Sequence, residues 1–125
     1  MRKRILIIDG ERIILELLVI IFSEEGYAVD TASNAEEGLE MAYSRKYDIV
    51  ISGIYMPVMN GIEFYRRLIE KMPSMKQRII FMNGGKNRED DTFLKETGVR
   101  CLLKPFKTLD LLKAANEIAA FEPNL

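Results

Sequence analysis

Residues 47–61 read YDIVISGIYMPVMNG, and the fold turns on how this stretch is read. Ile49, Val50 and Ile51 form a short apolar run between turn formers, the pattern of a strand buried on both faces. Met56–Pro57 and Asn60–Gly61 mark a loop. An amphipathic helix follows, with Ile62, Tyr65, Leu68, Ile69 and Met72 as its apolar stripe, until Pro73 stops it. In α/β sheets, ligands and chemistry collect where a loop leaves the carboxyl end of a strand. Position 53 stands at that point, and it is glycine. A turn needing positive φ accounts for a glycine there, so nothing yet requires a side chain.

Working outward, the same alternation repeats. Apolar runs predict strands at Arg4–Ile8, Ala28–Ala32, Asp48–Ser52, Arg78–Met82 and Arg100–Leu103. Helices are expected over Glu11–Glu25, 35–45, Gly61–Met72, Arg88–Thr97 and 109–121. The first buries Ile14, Leu17, Leu18, Ile21 and Phe22 and ends at Gly26. The second is capped by Asn34 with Glu37 three residues on, and turns Leu39, Ala42 and Tyr43 to one side. The fourth points Phe93 and Leu94 inward, and Thr108 caps the fifth. Strands alternating with helices imply a doubly wound α/β fold. We expect a five-stranded parallel sheet, order 2-1-3-4-5, flavodoxin-like, with helices one and five on one face and two, three and four on the other.

Composition narrows the function. At 125 residues, 48% hydrophobic and 30% charged, residues 1–125 read as a single domain. A net charge of −1 gives no case for nucleic-acid binding. The apolar run Ile13–Phe22 is broken by Glu16, too short to span a bilayer, so no membrane association is expected. The basic residues Arg2–Arg4 precede an apolar run that ends at Asp9, which is not a signal peptide. A single cysteine, Cys101, suits a cytoplasmic location and reads as an inert, partly buried thiol. With no histidine at all, this chain has no histidine catalysis, metal ligation or phosphohistidine chemistry.

Three segments carry a family resemblance: Ile5–Asp9 (ILIID), Met56–Gly61 (MPVMNG) and Lys104–Phe106 (KPF). Together with Arg78–Gly85 (RIIFMNGG), and in this order, they resemble the response-regulator receiver domains of two-component phosphorelay signalling, most of all receivers fused to sensor histidine kinases. The resemblance covers essentially the whole chain. It implies a pocket at the carboxyl edge of the sheet. In that pattern two adjacent acids after strand one hold Mg²⁺, and here they fall on Asp9 and Gly10. The phosphoacceptor Asp falls on Gly53. The hydroxyl residue after strand four falls on Asn83. The pairing lysine is present as Lys104, followed by Pro105. The switch aromatic of strand five falls on Cys101.

Glycine offers no nucleophile, and Mg²⁺ is held through carboxylates and substrate oxygens. With Gly10 and Gly53 in place, no cofactor is expected; metal binding should be weak or absent, with Asp9 and Glu11 the remaining weak candidates. The expected function is a pseudo-receiver that is not an enzyme. It would bind a signalling protein, such as a histidine kinase or an output domain, or form a homodimer. Two alternatives stay open. One is a phosphorylatable receiver using Asp9, Asp48 or Ser52 as acceptor, although Ser52 alternates away from Gly53. The other is a small-ligand binder at the strand-end crevice. The Lys104–Pro105 bond is expected to be cis, and Lys104 is expected to approach Asp9. Partners are expected on the face of helix four, strand five and helix five, with Phe93, Leu109 or Leu112 exposed.

Overall fold

Strands β1 (Arg4–Ile8), β2 (Ala28–Ala32), β3 (Ile49–Gly53), β4 (Ile79–Met82) and β5 (Arg100–Leu102) form one sheet in the order β2-β1-β3-β4-β5. Every pairing is parallel. The structure, a computed structural model, describes residues 2–82, 88–103 and 106–120. Helices α1 (Arg12–Glu24), α2 (Ala35–Ser44), α3 (Gly61–Lys71), α4 (Arg88–Thr97) and α5 (Thr108–Ala120) connect or follow the strands. Their division over the two faces follows from right-handed crossovers.

The central strands are apolar on both sides because both sides are covered. Leu6, Ile8 and Val50 pack with α2, α3 and Phe93 of α4. Ile5, Ile7, Ile49 and Ile51 pack with α1 and α5. Ile5, Leu6, Ile7 and Ile8 are fully buried, and each such side chain is worth about 1.5–3 kcal/mol. The ion pairs, all with at least one partly exposed partner, are each worth about 0–1 kcal/mol. The sheet core therefore decides the fold.

Several local expectations shift. In α1 the buried positions are Leu15, Leu18 and Phe22; Leu17 is exposed, and Ile14 and Ile21 are only partly covered. Helix α1 is apolar nearly all round, so periodicity there did not single out one face. Tyr43 of α2 is exposed; its hydroxyl donates to Arg67 O, and Lys71 Nζ sits 4.5 Å from its ring centroid. The Asn34 cap is present, accepting from Glu37 N–H at 2.8 Å. Glu37 reaches back to the N–H of Ser33 rather than of Asn34. Thr108 is the first residue of α5 and not its cap: the turn closes between Asp110 N–H and Lys107 O.

Two positions hold the loops to this frame. A Cβ added to Gly61 would lie 2.4 Å from Gly53 O and 3.0 Å from Phe81 Cε1, so only glycine lets α3 start there. At the other end of the sheet, Tyr47 donates to Asp30 at 2.7 Å, beside Arg45 and Arg4. Burial first, then that hydrogen bond, pushes the Tyr47 hydroxyl up to about 12 from its ordinary 10.0.

Two outcomes are expected. Gly61→Ala should lower the chemical-denaturation stability by at least about 1–3 kcal/mol, because the obstacle is backbone and cannot swing aside. For Tyr47 the folded value lies above the unfolded one, so its contribution is complete below pH 10 and is lost as pH rises toward 12. Burial raises Tyr27 and Tyr65 as well, so Tyr47→Phe should remove part of that alkaline slope. Unfolding midpoints measured across that range check it.

Candidate functional site

The parallel register sets Ile8 opposite Ser52, so Asp9 and Gly53 follow side by side at the carboxyl edge. Gly53 is the last residue of β3, paired with Met82, one residue beyond the predicted strand end. It does not adopt positive φ; among the described glycines only Gly26 and Gly98 do. The backbone at position 53 would thus accept an ordinary residue, and the expectation of a turn glycine is corrected.

What fills the space is Asp9. Its side chain is buried, its own N–H donates to Ala32 O at 3.2 Å, and its Oδ1 accepts Glu11 N–H at 2.7 Å. The acid therefore orders the turn into α1, where Glu11 stands as N-cap without a side-chain hydrogen bond. Its Oδ2 lies 3.0 Å from where a Cβ on Gly53 would be. Position 10 is open by contrast: a Cβ there would meet only Pro57 Cδ, at 3.8 Å.

This donor set does not fit a Mg²⁺ site. Positions 10 and 53 offer no carboxylate, and one oxygen of Asp9 is engaged by the backbone. Among the described residues no group of three or more Asp, Glu, His or Cys is arranged so that it could hold a metal ion. Glu11 begins its helix with an exposed side chain. The other acceptor candidates are placed unfavourably. Ser52 is buried and its Oγ donates to Gly53 O at 2.9 Å. Asp48 accepts Arg4 N–H at 2.8 Å, at the opposite end of the sheet. Asn83, Lys104 and Pro105 lie outside the described residues, and with them the expected Lys104–Asp9 approach and cis bond. Cys101, on β5, pairs in register with Phe81 of β4 and is partly buried against the core.

Two features escaped the sequence reading. Tyr55, in the loop after β3, donates its hydroxyl to Asp90 Oδ2, and Asp90 is buried within α4. The loop is thereby tied to α4. An acid in the run Glu89–Asp91 reads as solvated, and only the fold brings it against Tyr55. Val58 is 98% exposed at φ 69°, a left-handed conformation costing an L-residue about 1–2 kcal/mol. On the face of α4, β5 and α5, Leu109 is exposed as expected; Leu103, just past β5 and not anticipated, is exposed as well. Phe93 is not: it is buried against Tyr65 and Phe81, with ring centroids 5.2 and 5.9 Å away. Leu112 is partly buried.

Comparison with known proteins agrees with this architecture. The sequence profile of the response regulator receiver domain matches residues 5–116. The chain is 40% identical over 95 residues to the nitrate/nitrite response regulator protein NarL of Escherichia coli (strain K12), covering 75% of this chain and 43% of that protein. It spans about half the length of the curated relatives it matches, 43% to 54% in the cases of NarL and of ArlR of Staphylococcus aureus. Among solved structures, a CheY-like receiver domain protein from Methanospirillum hungatei JF-1 superposes with TM-score 0.85 at 30% identity, over 94% of this chain and 93% of that one. The response regulator protein TrrA of Thermotoga maritima, in complex with Mg²⁺ and beryllium fluoride, gives 0.81 at 33%, over 93% and 98%.

The open and the covered glycine should answer differently to substitution. Gly10→Asp is expected to change stability by no more than about 0.5 kcal/mol. Gly53→Asp should cost about 1–3 kcal/mol without divalent cation, because the added Cβ meets Asp9 and a second carboxylate joins the first. Calorimetric titration should detect Mg²⁺ binding in the double variant and in neither single one.

Proposed function

Because the chain belongs to the response regulator receiver domain family, we propose that it serves two-component signalling as a pseudo-receiver, binding a protein partner without accepting a phosphoryl group. The observation that carries this reading is the absence of a side chain at the carboxyl end of β3, with the Asp9 carboxylate lying over the position. A phosphoryl acceptor must be a nucleophile aimed into the crevice. Asp9 is buried in the turn into α1, Ser52 is hydrogen-bonded to backbone, and Asp48 is at the far end of the sheet.

Receiver domains of response regulators act with kinases and output domains. The partner of this chain would be such a signalling protein, bound through α4, β5 and α5, where Leu103 and Leu109 are exposed. Coupling from pocket to that face would normally use a hydroxyl and an aromatic residue; Asn83 and Cys101 stand in their places. The face should hold one state, so binding would be constitutive. The small-ligand reading finds less support. A cleft of 660 Å³ runs along α1 and the end of β2, lined by Leu15, Val19 and Ile20, beside the β1–β3 crevice rather than in it.

Exposure to acetyl phosphate with Mg²⁺ should leave the intact mass unchanged, and partner affinity should not move. A stoichiometric phosphoryl adduct, or beryllofluoride-induced amide shifts clustered at Asp9 and Asn83, would replace this reading with that of a working receiver.

A further inference from the structure

Helix α1 carries more apolar surface than its own sheet covers. Leu15, Leu18 and Phe22 face inward. On the outer side Ile13 is 77% exposed, Leu17 46% and Ile20 58%. These three are spaced as one stripe, i, i+4, i+7, along the helix. The loop after β3 comes near the residue that precedes this helix, since Pro57 lies against position 10, and Val58 beside Pro57 is exposed.

The charges on α1 say what fits there. A lone helix gains from acid at its N-terminus and base at its C-terminus. Here the first turn holds no acid and the last turn no base. Arg12 opens the helix with its side chain 90% exposed, paired along its own helix with Glu16 at 3.2 Å, and Glu24 closes it with Glu25 following. The N-cap position supplies no side-chain hydrogen bond either. Each sign opposes the dipole of the helix that carries it. Both signs suit the dipole of a copy running antiparallel: Glu24 of one chain comes to the uncapped N-terminus of the other, within reach of its Arg12.

We propose that α1 is a self-association surface, on which two copies of this chain pack their α1 helices antiparallel about a two-fold axis near Leu17. Ile13 of one chain then meets Ile20 of the other, and Leu17 meets its own equivalent. Self-complementarity under a two-fold is what an isologous interface requires. The pairing joins a row of only three apolar residues on a 13-residue helix, about 20 Å long, so the dimer is weak and concentration-dependent. Although α1 and α5 cover the same side of the sheet, this outer stripe of α1 is separate from the surface of α4, β5 and α5, and it does not depend on any residue accepting a phosphoryl group.

Sedimentation equilibrium over a concentration series tests this with the intact chain. The expected result is a reversible monomer–dimer equilibrium that Leu17→Glu or Ile20→Lys abolishes while circular dichroism stays native. Arg12→Glu should weaken association about five- to tenfold, and Arg12→Glu combined with Glu24→Arg should restore it. Leu17→Cys in a Cys101→Ser background should oxidise to a disulfide-linked dimer, because the axis places the residue opposite itself. A chain that stays monomeric at the highest concentration overturns the proposal and leaves the stripe to a different protein. A dimer indifferent to Leu17→Glu, or one that the charge exchange fails to rescue, overturns it as well.

Discussion

Everything at the carboxyl edge of the sheet depends on how closely the loop after β3 folds back on the strand it leaves. Gly61 N–H donates to Ile54 O at 2.8 Å, and its Cα faces the carbonyl of Gly53 with no room for a methyl group between them. That contact closes residues 54–60 into a tight loop. Asn60 then caps α3 by accepting Glu63 N–H at 3.0 Å. Met56 and Met59 turn inward beneath the loop, while Pro57 and Val58 are pushed out. One backbone approach thus sets the floor of the crevice, the start of α3 and the exposed tip beside α1.

Tyr55 shows how that loop reaches further. Its bond to Asp90 joins the crevice side of β3 to α4. Beneath it, Tyr65, Phe81 and Phe93 pack edge to face or tilted across α3, β4 and α4. Such pairs each add about 0.5–1.5 kcal/mol beyond the area they bury. The loop, α3 and α4 are therefore one unit held together by side-chain packing and the Tyr55–Asp90 hydrogen bond. The Tyr65 hydroxyl is buried without a hydrogen-bond partner among the described residues, which opposes the ring packing by about 1–3 kcal/mol.

The strands, their order and the sides taken by the helices were legible because doubly buried strands read as uninterrupted apolar runs and crossovers have one hand. Position 53 was legible as glycine at the end of β3; of the two accounts offered for it, a turn needing positive φ does not hold, since no unusual φ is adopted there. The sequence could not show that Asp9 would lie over it, since that depends on register and on the turn to Glu11. Helix α1 misled for a different reason. With Ile, Leu or Val at most positions, any stripe satisfies the helical period, and the choice of Leu15 over Leu17 is made by the sheet. Phe93 was read both as an inward residue of its helix and as a candidate for the exposed output face; the inward reading holds, because Tyr65 and Phe81 offer an aromatic slot that the folded chain assembles.

The exposed tip at Val58 has a consequence for how this protein responds to selection. A β-branched residue held left-handed with 98% of its surface in water gains nothing from packing to offset its backbone cost. A screen that rewards heat resistance alone would replace it early with asparagine or glycine. A screen that also demands binding at the α1 end of the molecule would keep it, if the apolar tip touches what binds there. Comparing survivors of the two regimes would separate a residue kept for contact from one merely tolerated.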